Sequence, residues 1–346
     1  MLLDIYHASH KFYDEFEYYC FKSCYVNVLD YYKVKNAKYY IECSLDWTFR
    51  KDEKDTFGYQ FNTGDLYASF RSPFDQKIRY FSKETLSKNE LWDRNKKLLE
   101  DGIPVVAAAD VYYLKYTPYY HKKHSFHSLI LAGYEEKNDE VYIIDWYKPW
   151  FFKGSISREE LDMARDSDNE KDGILSGNPI QYLYGQIEPG GWDASMHDLI
   201  NISLQDNLKK YYEGNTNSLM YKGYKAIGEA AKLLECNIEL EPGRRAKFLE
   251  DLYNKLYFVV SRKKLFGWYL DEIHKDFPRI PVDEVKRQSD ESIQIWKNIL
   301  SLLIKCSMLN DNATYTKVIL EMQKCIAKEK QFYYTLYEFS NIMQIS

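Results

Sequence analysis

The sequence has no run of about 18 apolar residues, the length a helix needs to cross a bilayer, so no membrane span is expected. It has no basic excess: 47 Lys and Arg stand against 52 Asp and Glu, a net charge of −5. Domains that hold nucleic acid by bulk charge carry a strongly basic face, so no nucleic-acid partner is expected. No two CxxC pairs occur, which argues against a structural zinc site. Residues 1–10 lack a basic segment followed by an apolar run, so no secretory signal is expected. These absences point to a cytoplasmic protein whose cysteines, at 20, 24, 43, 236, 306 and 325, are free thiols. No internal repeat or low-complexity tract stands out.

What the chain does have is tyrosine, 33 in 346 residues. The composition of a low-GC genome accounts for most of that excess. A Tyr ring also suits wet pockets, being apolar with a polar tip. The length suggests two domains. Up to about residue 190, strand-like runs dominate: Gly102–Ala109, Ser128–Tyr134 and Val141–Asp145, the last two joined by the polar turn Glu135–Asp139 as a hairpin. Beyond it the apolar period becomes helical over Tyr224–Leu234, Arg245–Tyr257, Lys264–His274, Asp290–Leu309 and Thr314–Phe339. Ser289 and Asn312 read as helix starts, and Pro278 and Pro281 mark a loop. The fold class expected is α+β: a catalytic domain over 1–165, a linker or junction loop over 166–191, and an all-helical domain over 192–346.

Cys20 falls at the start of a predicted helix whose apolar face is Val28, Leu29, Tyr31 and Tyr32. A thiol there meets the positive end of the helix dipole, which favours thiolate. Cys24 lies one turn further on the same face, and either cysteine is equally at home as a small packing residue. His121, His124 and His127 recur every third residue, but no acidic or Cys ligand is spaced with them, so no metal is expected. His127 opens a strand and Asp145 closes its hairpin partner. With the turn centred on residue 136 the two face each other, close enough for the carboxylate to orient the imidazole. A cysteine, a base and an orienter in that chain order is the arrangement of papain-like enzymes.

The first 165 residues or so resemble the N-terminal domain of the butirosin biosynthesis protein H-like family, whose fold is like that of C39 bacteriocin-processing cysteine peptidases. The residues that carry the resemblance are Cys20 with Asn27 to Tyr32, Gly102 to Val106, Asp110 to Tyr116, His124 with His127 to Tyr134, Val141 to Asp145, and Ser157 to Arg165. Weaker motifs at Ser261–Leu270 and Ile326–Phe339 look like the family's helical C-terminal region. The resemblance implies a papain-like domain with Cys20 as nucleophile, His127 as base and Asp145 as orienter. It favours Cys20 over Cys24 by register to Leu29. One departure matters: the oxyanion-hole Gln that such enzymes place six residues before the cysteine is Asp14 here.

The resemblance further implies amide-forming acyl transfer: an acyl or peptidyl group passes from a carrier-protein thioester, through Cys20, to an amine. The setting would be antibiotic biosynthesis, with a non-ribosomal peptide or polythioamide-like product. No cofactor would be bound, because the carrier-protein partner brings its own phosphopantetheine. The acceptor would be a small aminoglycoside or diamine-like amine. Asp110, Tyr112, Tyr113, Cys24 and His124 are candidates for contacting substrate, Asp110 through an ammonium group. A basic patch for an acidic carrier protein is sought at Arg244-Arg245, Arg262-Lys263-Lys264 or Lys209-Lys210. The alternatives are a C39-like cysteine peptidase or amidase, and a non-catalytic binding module.

Overall fold

A computed structural model describes residues 1–17, 19–63, 70–212, 220–278 and 281–345. In chain order the elements begin with α1 (Cys20–Tyr31), α2 (Ala37–Tyr40), β1 (Thr48–Lys51), β2 (Tyr59–Asn62), β3 (Ile78–Phe81) and α3 (Lys88–Glu100). They continue with β4 (Val105–Asp110), β5 (Phe126–Glu135), β6 (Glu140–Asp145), β7 (Phe152–Ser157), α4 (Arg158–Arg165) and β8 (Tyr184–Ile187). The remainder is α5 (Met196–Tyr212), β9 (Met220–Lys222), α6 (Gly223–Cys236), α7 (Pro242–Asp276), α8 (Asp283–Leu309) and α9 (Asn312–Ile345).

The chain folds as two compact units, both mixed α and β. The first comprises Met1–Ile41 and Ser69–Ser195, the second Glu42–Ala68 and Met196–Ser346. This division differs from the expected one in two places. Residues 166–191, expected as a linker, are part of the first unit, where β8 is a strand of its sheet. The second unit is helical but not all-helical, because β1 and β2 belong to it and form a sheet with β9 in the order β2-β1-β9.

In the first unit six strands form one sheet in the order β3-β8-β4-β5-β6-β7, with every neighbour antiparallel. All six residues of β4 are buried, as its unbroken apolar run requires of an interior strand. Pro104, which has no N–H to give the ladder, stays outside it. Helix α1 packs on β5 and β4 and buries Phe21 through Leu29 without a gap. Helix α3 opens on a capping box, in which Ser87 and Glu90 satisfy each other's backbone N–H groups. Ser157 caps α4 in the same position.

The β5–β6 hairpin forms, but in a different register. Glu135 pairs with Glu140 and Tyr134 with Val141, so the turn is centred beyond residue 137. A β-bulge between Leu131 and Gly133 then shifts the pairing, and Ile130 faces Ile144. Continued by one step, that register puts Leu129 opposite Asp145. His127 is therefore diagonal to Asp145, not directly across from it.

In the second unit the two helices expected at Arg245–Tyr257 and Lys264–His274 are one, α7. Nothing between them breaks a helix, and the charges that interrupt the apolar pattern are buried and paired. Arg262 meets Glu42 at 3.3 Å and Lys263 meets Glu329 at 2.9 Å. Helix α8 starts at Asp283, so Ser289 is a buried residue inside it and not a cap. Asp311 caps α9 through the Thr314 N–H at 2.7 Å. Residues 279–280, in the Pro278–Pro281 loop, lie outside the described residues. Among the described residues no helix is long and apolar enough to cross a membrane.

Glu329 is the polar centre of this unit. It is fully buried and accepts from Trp296 Nε1 at 2.8 Å, Ser292 Oγ at 2.6 Å and the Tyr211 hydroxyl, beside Lys263. Removing one partner of a buried ion pair strands the other charge, a cost of about 3–5 kcal/mol. Glu329→Ala is expected to lower the stability of this unit by that amount in urea unfolding followed by tryptophan fluorescence. An unfolding midpoint unchanged from the native chain would refute this account of the hub.

Candidate active site

The structure brings Cys20, His127 and Asp145 together. Cys20 is the first residue of α1, and Tyr19 before it makes no side-chain cap, so the helix N-terminus is left to the thiol. His127 lies near the start of β5, and its Nε2 sits 2.9 and 3.0 Å from the two carboxylate oxygens of Asp145, the last residue of β6. The imidazole and the Cys20 thiol are within hydrogen-bonding reach. With Nε2 engaged by Asp145, Nδ1 is the ring nitrogen left for the thiol. The histidine and aspartate are buried, while Cys20 keeps partial solvent access.

The electrostatics follow from that geometry. Burial alone would push the Cys20 thiol up. The hydrogen bond and charge of His127, with a hydrogen bond from Ser128, outweigh burial and bring it below the usual thiol value. For His127, burial opposes the charge, but Asp145 and Cys20 more than offset it and raise the imidazole to about 10. Both shifts favour a thiolate beside an imidazolium. Cys24 differs: it is buried, 3.5 Å from Ser128 Oγ, and desolvation drives its thiol well above the ordinary range. The two cysteines thus differ in setting: Cys20 is partly exposed and neighbours His127, while Cys24 is buried.

Sequence reasoning missed the aromatic loop that follows Asp145. The indole Nε1 of Trp150 donates to Asp145 Oδ2 at 2.7 Å, and the Tyr116 hydroxyl donates to the same oxygen at 2.8 Å. The rings of Tyr147 and Trp150 each lie 5.3 Å from the imidazole. A usable signal was present, since Trp146, Tyr147, Trp150, Phe151 and Phe152 crowd the seven residues after Asp145. The loop is further held by the N-terminal segment: Phe12 packs on Tyr147 and Phe151. That segment is pinned to α1 by Asn27, which accepts from Lys11 N at 3.2 Å and donates to Lys11 O at 3.1 Å.

The remaining candidates sit elsewhere. Asp110 is fully buried, and its carboxylate is occupied by Tyr112 N, Ser125 N, His124 Nδ1 and Ser167 Oγ at 2.6–3.1 Å. It cannot also receive an ammonium group, and its role is to tie the β4 end to the loops around it. Tyr112 stacks on His124 at 4.1 Å, and with Tyr113 they line an open cleft of about 730 Å³ bordered by Arg158, Asp162 and Asn169. That cleft contains none of Cys20, His127 and Asp145. The recess beside Cys20 is only about 10 Å³, lined by Ser23, Cys24, Asn27, Ser128 and Trp146 among others, which is room for about one water. The three histidines do not converge: His127 is on Asp145, His124 on Asp110, and His121 lies against Tyr112 and Tyr120. Asp14 is exposed and pairs with Lys148 at 3.1 Å.

The basic residues proposed for docking are reduced in the same way. Arg245 is held by Asn310, Asn312 and the Ile238 carbonyl. Lys210 bridges Glu42 and Asp206, and Arg262 and Lys263 are fully buried. Of the seven candidates only Arg244, Lys209 and Lys264 are exposed.

Residues 45–146 match the family model described as butirosin biosynthesis protein H, N-terminal, so the family resemblance holds over that segment. It includes His127 and Asp145 and stops short of Cys20. No curated protein matches the chain.

A thiolate–imidazolium pair has a testable pH signature. Alkylation of Cys20 by iodoacetate, an anion drawn to the imidazolium, is expected to persist well below the pH at which an ordinary thiol reacts. It should fall as pH rises through about 10, where His127 gives up its proton. The same raised value stabilises the folded chain fully below the ordinary histidine value of 6.5 and is lost as pH climbs towards about 10. His127→Ala should slow alkylation at pH 6 by about 10- to 100-fold, because an ordinary thiol is almost wholly protonated there. Cys24→Ala should leave the rate unchanged. Peptide mapping that found Cys24 alkylated in place of Cys20 would overturn the assignment.

Proposed function

We propose that this protein is a papain-like cysteine acyltransferase that forms an amide bond during biosynthesis of an antibiotic-like natural product. The observation that carries this reading is the buried His127–Asp145 pair set against a partly exposed, low-pKa Cys20 at a helix start. The description of the matching family, a biosynthesis protein, favours a synthetic over a degradative reaction.

In the mechanism inferred, the Cys20 thiolate attacks the carbonyl carbon of a thioester borne on the phosphopantetheine arm of a carrier protein. The tetrahedral oxyanion would be met by the backbone N–H of Cys20, at the positive end of α1. As the intermediate collapses, the C–S bond to the arm breaks. His127 passes its proton to the departing thiolate, which leaves as a free thiol, and a Cys20 thioester remains. An amine then attacks that thioester and His127, now neutral, takes the amine's proton. Collapse expels the Cys20 thiolate and releases the amide, restoring the starting ion pair. Thioester to amide runs downhill, so no nucleotide is consumed. Asp145 keeps the imidazole in one tautomer and stabilises its charged form. Tyr147 and Trp150 cover the imidazole and limit water at the acyl-enzyme.

The test is to incubate the protein with a carrier protein loaded with an acyl-phosphopantetheine and to examine the Cys20 peptide by mass spectrometry. The expected result is an acyl adduct on Cys20 that disappears on adding a primary amine, with amide appearing. Cys20→Ala should abolish both. Acyl loss to water at the same rate with and without amine would favour the hydrolase, and a chain with no adduct whose Cys20→Ala variant behaves identically would not be a cysteine enzyme.

A further inference from the structure

Asp145 Oδ2 receives three hydrogen-bond donors, from His127, Trp150 and Tyr116, and the third is the least expected. Tyr116 lies outside the strands, in the turn after β4, where Thr117 bonds back to the carbonyls of Val111 and Leu114. A hydroxyl carried on a turn needs something else to aim it. The β6–β7 ladder supplies that: Asp145 pairs directly with Phe152, so the Phe152 ring is fixed beside the carboxylate. The Tyr116 ring lies flat on that platform, with centroids 4.0 Å apart and planes within 9°. The platform in turn depends on Gly154, two residues along the same strand. A Cβ there would stand 2.7 Å from the Phe152 ring, closer than real contacts allow. Each link is printed in the backbone register or the ring geometry: Gly154 leaves room for Phe152, Phe152 carries Tyr116, and Tyr116 caps Asp145.

Building on the reading of Cys20, His127 and Asp145 as a catalytic trio, we propose that Tyr116 is a positioning residue that sets the basicity of His127 through Asp145, and that Phe152 and Gly154 fix where it points. A donor on Oδ2 takes up part of the carboxylate's charge and holds its plane towards the imidazole. Without it, more of that charge is left for the imidazolium, which keeps its proton to higher pH, and the carboxylate is freer to turn. Burial and the neighbouring Asp145 charge keep the Tyr116 hydroxyl protonated across the working range, so it remains a donor throughout.

The experiment uses the full-length chain and the pH dependence of iodoacetate alkylation at Cys20, with no carrier protein present. Tyr116→Phe removes the hydroxyl and keeps the stacked ring. The expected result is an alkaline limb moved upward by about half a pH unit to one unit, the scale of one weakened hydrogen bond to a charge. Gly154→Ala, which displaces the platform, should move the limb in the same direction with Tyr116 itself intact. Tyr134→Phe, whose hydroxyl bonds Glu100 on the surface, should leave the profile unchanged. In transfer assays Tyr116→Phe should lower kcat with little change in KM. Folding of each variant is checked by circular dichroism, and a Gly154→Ala chain that fails to fold leaves Tyr116→Phe to decide. A native profile with the expected limb, overlaid by that of Tyr116→Phe, overturns this inference and spares the trio. A native chain in which Cys20 shows no His127-dependent limb overturns the trio itself.

Discussion

In the proposed mechanism one proton, held at His127 between Asp145 and Cys20, is what the chemistry of the first unit turns on. His127 carries it between a carboxylate that cannot leave and a thiol that gains from its charge. A lone imidazolium this deeply buried would be unfavourable, since desolvation opposes its charge. Asp145 reverses that balance, and Tyr116 and Trp150 donate to one of the two oxygens that face His127. The order of strands in the sheet, the turn after β4 and the aromatic loop after β6 all serve the placement of these few polar atoms in an otherwise apolar wall. The chain thus concentrates its aromatic residues where a charged pair must be kept from water.

Much of this could be read from residues, and the parts that could not share a cause. The strands β4, β5 and β6 and the helices α6, α8 and α9 announce themselves by apolar run or period. The pairing of His127 with Asp145 was also anticipated, but for the wrong register. A symmetric turn would set them face to face, whereas the bulge beyond Leu131 sets them diagonally, and a carboxylate and an imidazole reach across that gap equally well. The failures were positions where a tertiary partner overrides the local pattern. Arg262 and Lys263 look like a solvated helix surface and are buried against acids contributed from far along the chain. Asp110 looks like a free carboxylate at a strand end and is enclosed by four donors. Spacing alone carries no information about such partners.

Two recesses of the first unit divide the sequence candidates between them. Tyr112, Tyr113 and His124 form the wall of an open polar cleft, while Cys20 and Asp145 border a recess of about one water. With so little room beneath Cys20, the acyl group of the proposed reaction would be recognised from outside, along the surface that leads to the sulfur. That suits a substrate delivered at the end of a flexible arm better than one that must be swallowed whole.

The placement of β8 has a consequence for how the chain comes to be folded. It separates β3 from β4 in the sheet, yet it is synthesised more than 70 residues after the end of β4. The second unit is similarly divided, with β1 and β2 made early and β9, the other neighbour of β1, made after residue 212. As the chain leaves the ribosome, β1 must therefore wait with one edge unpaired, and β3 has no neighbour in the sheet until residue 187 is out. Loop closure of this length is slow and leaves strand edges open to other chains. The growing chain thus holds these strand edges in an unfinished state until residues 187 and 222 are out.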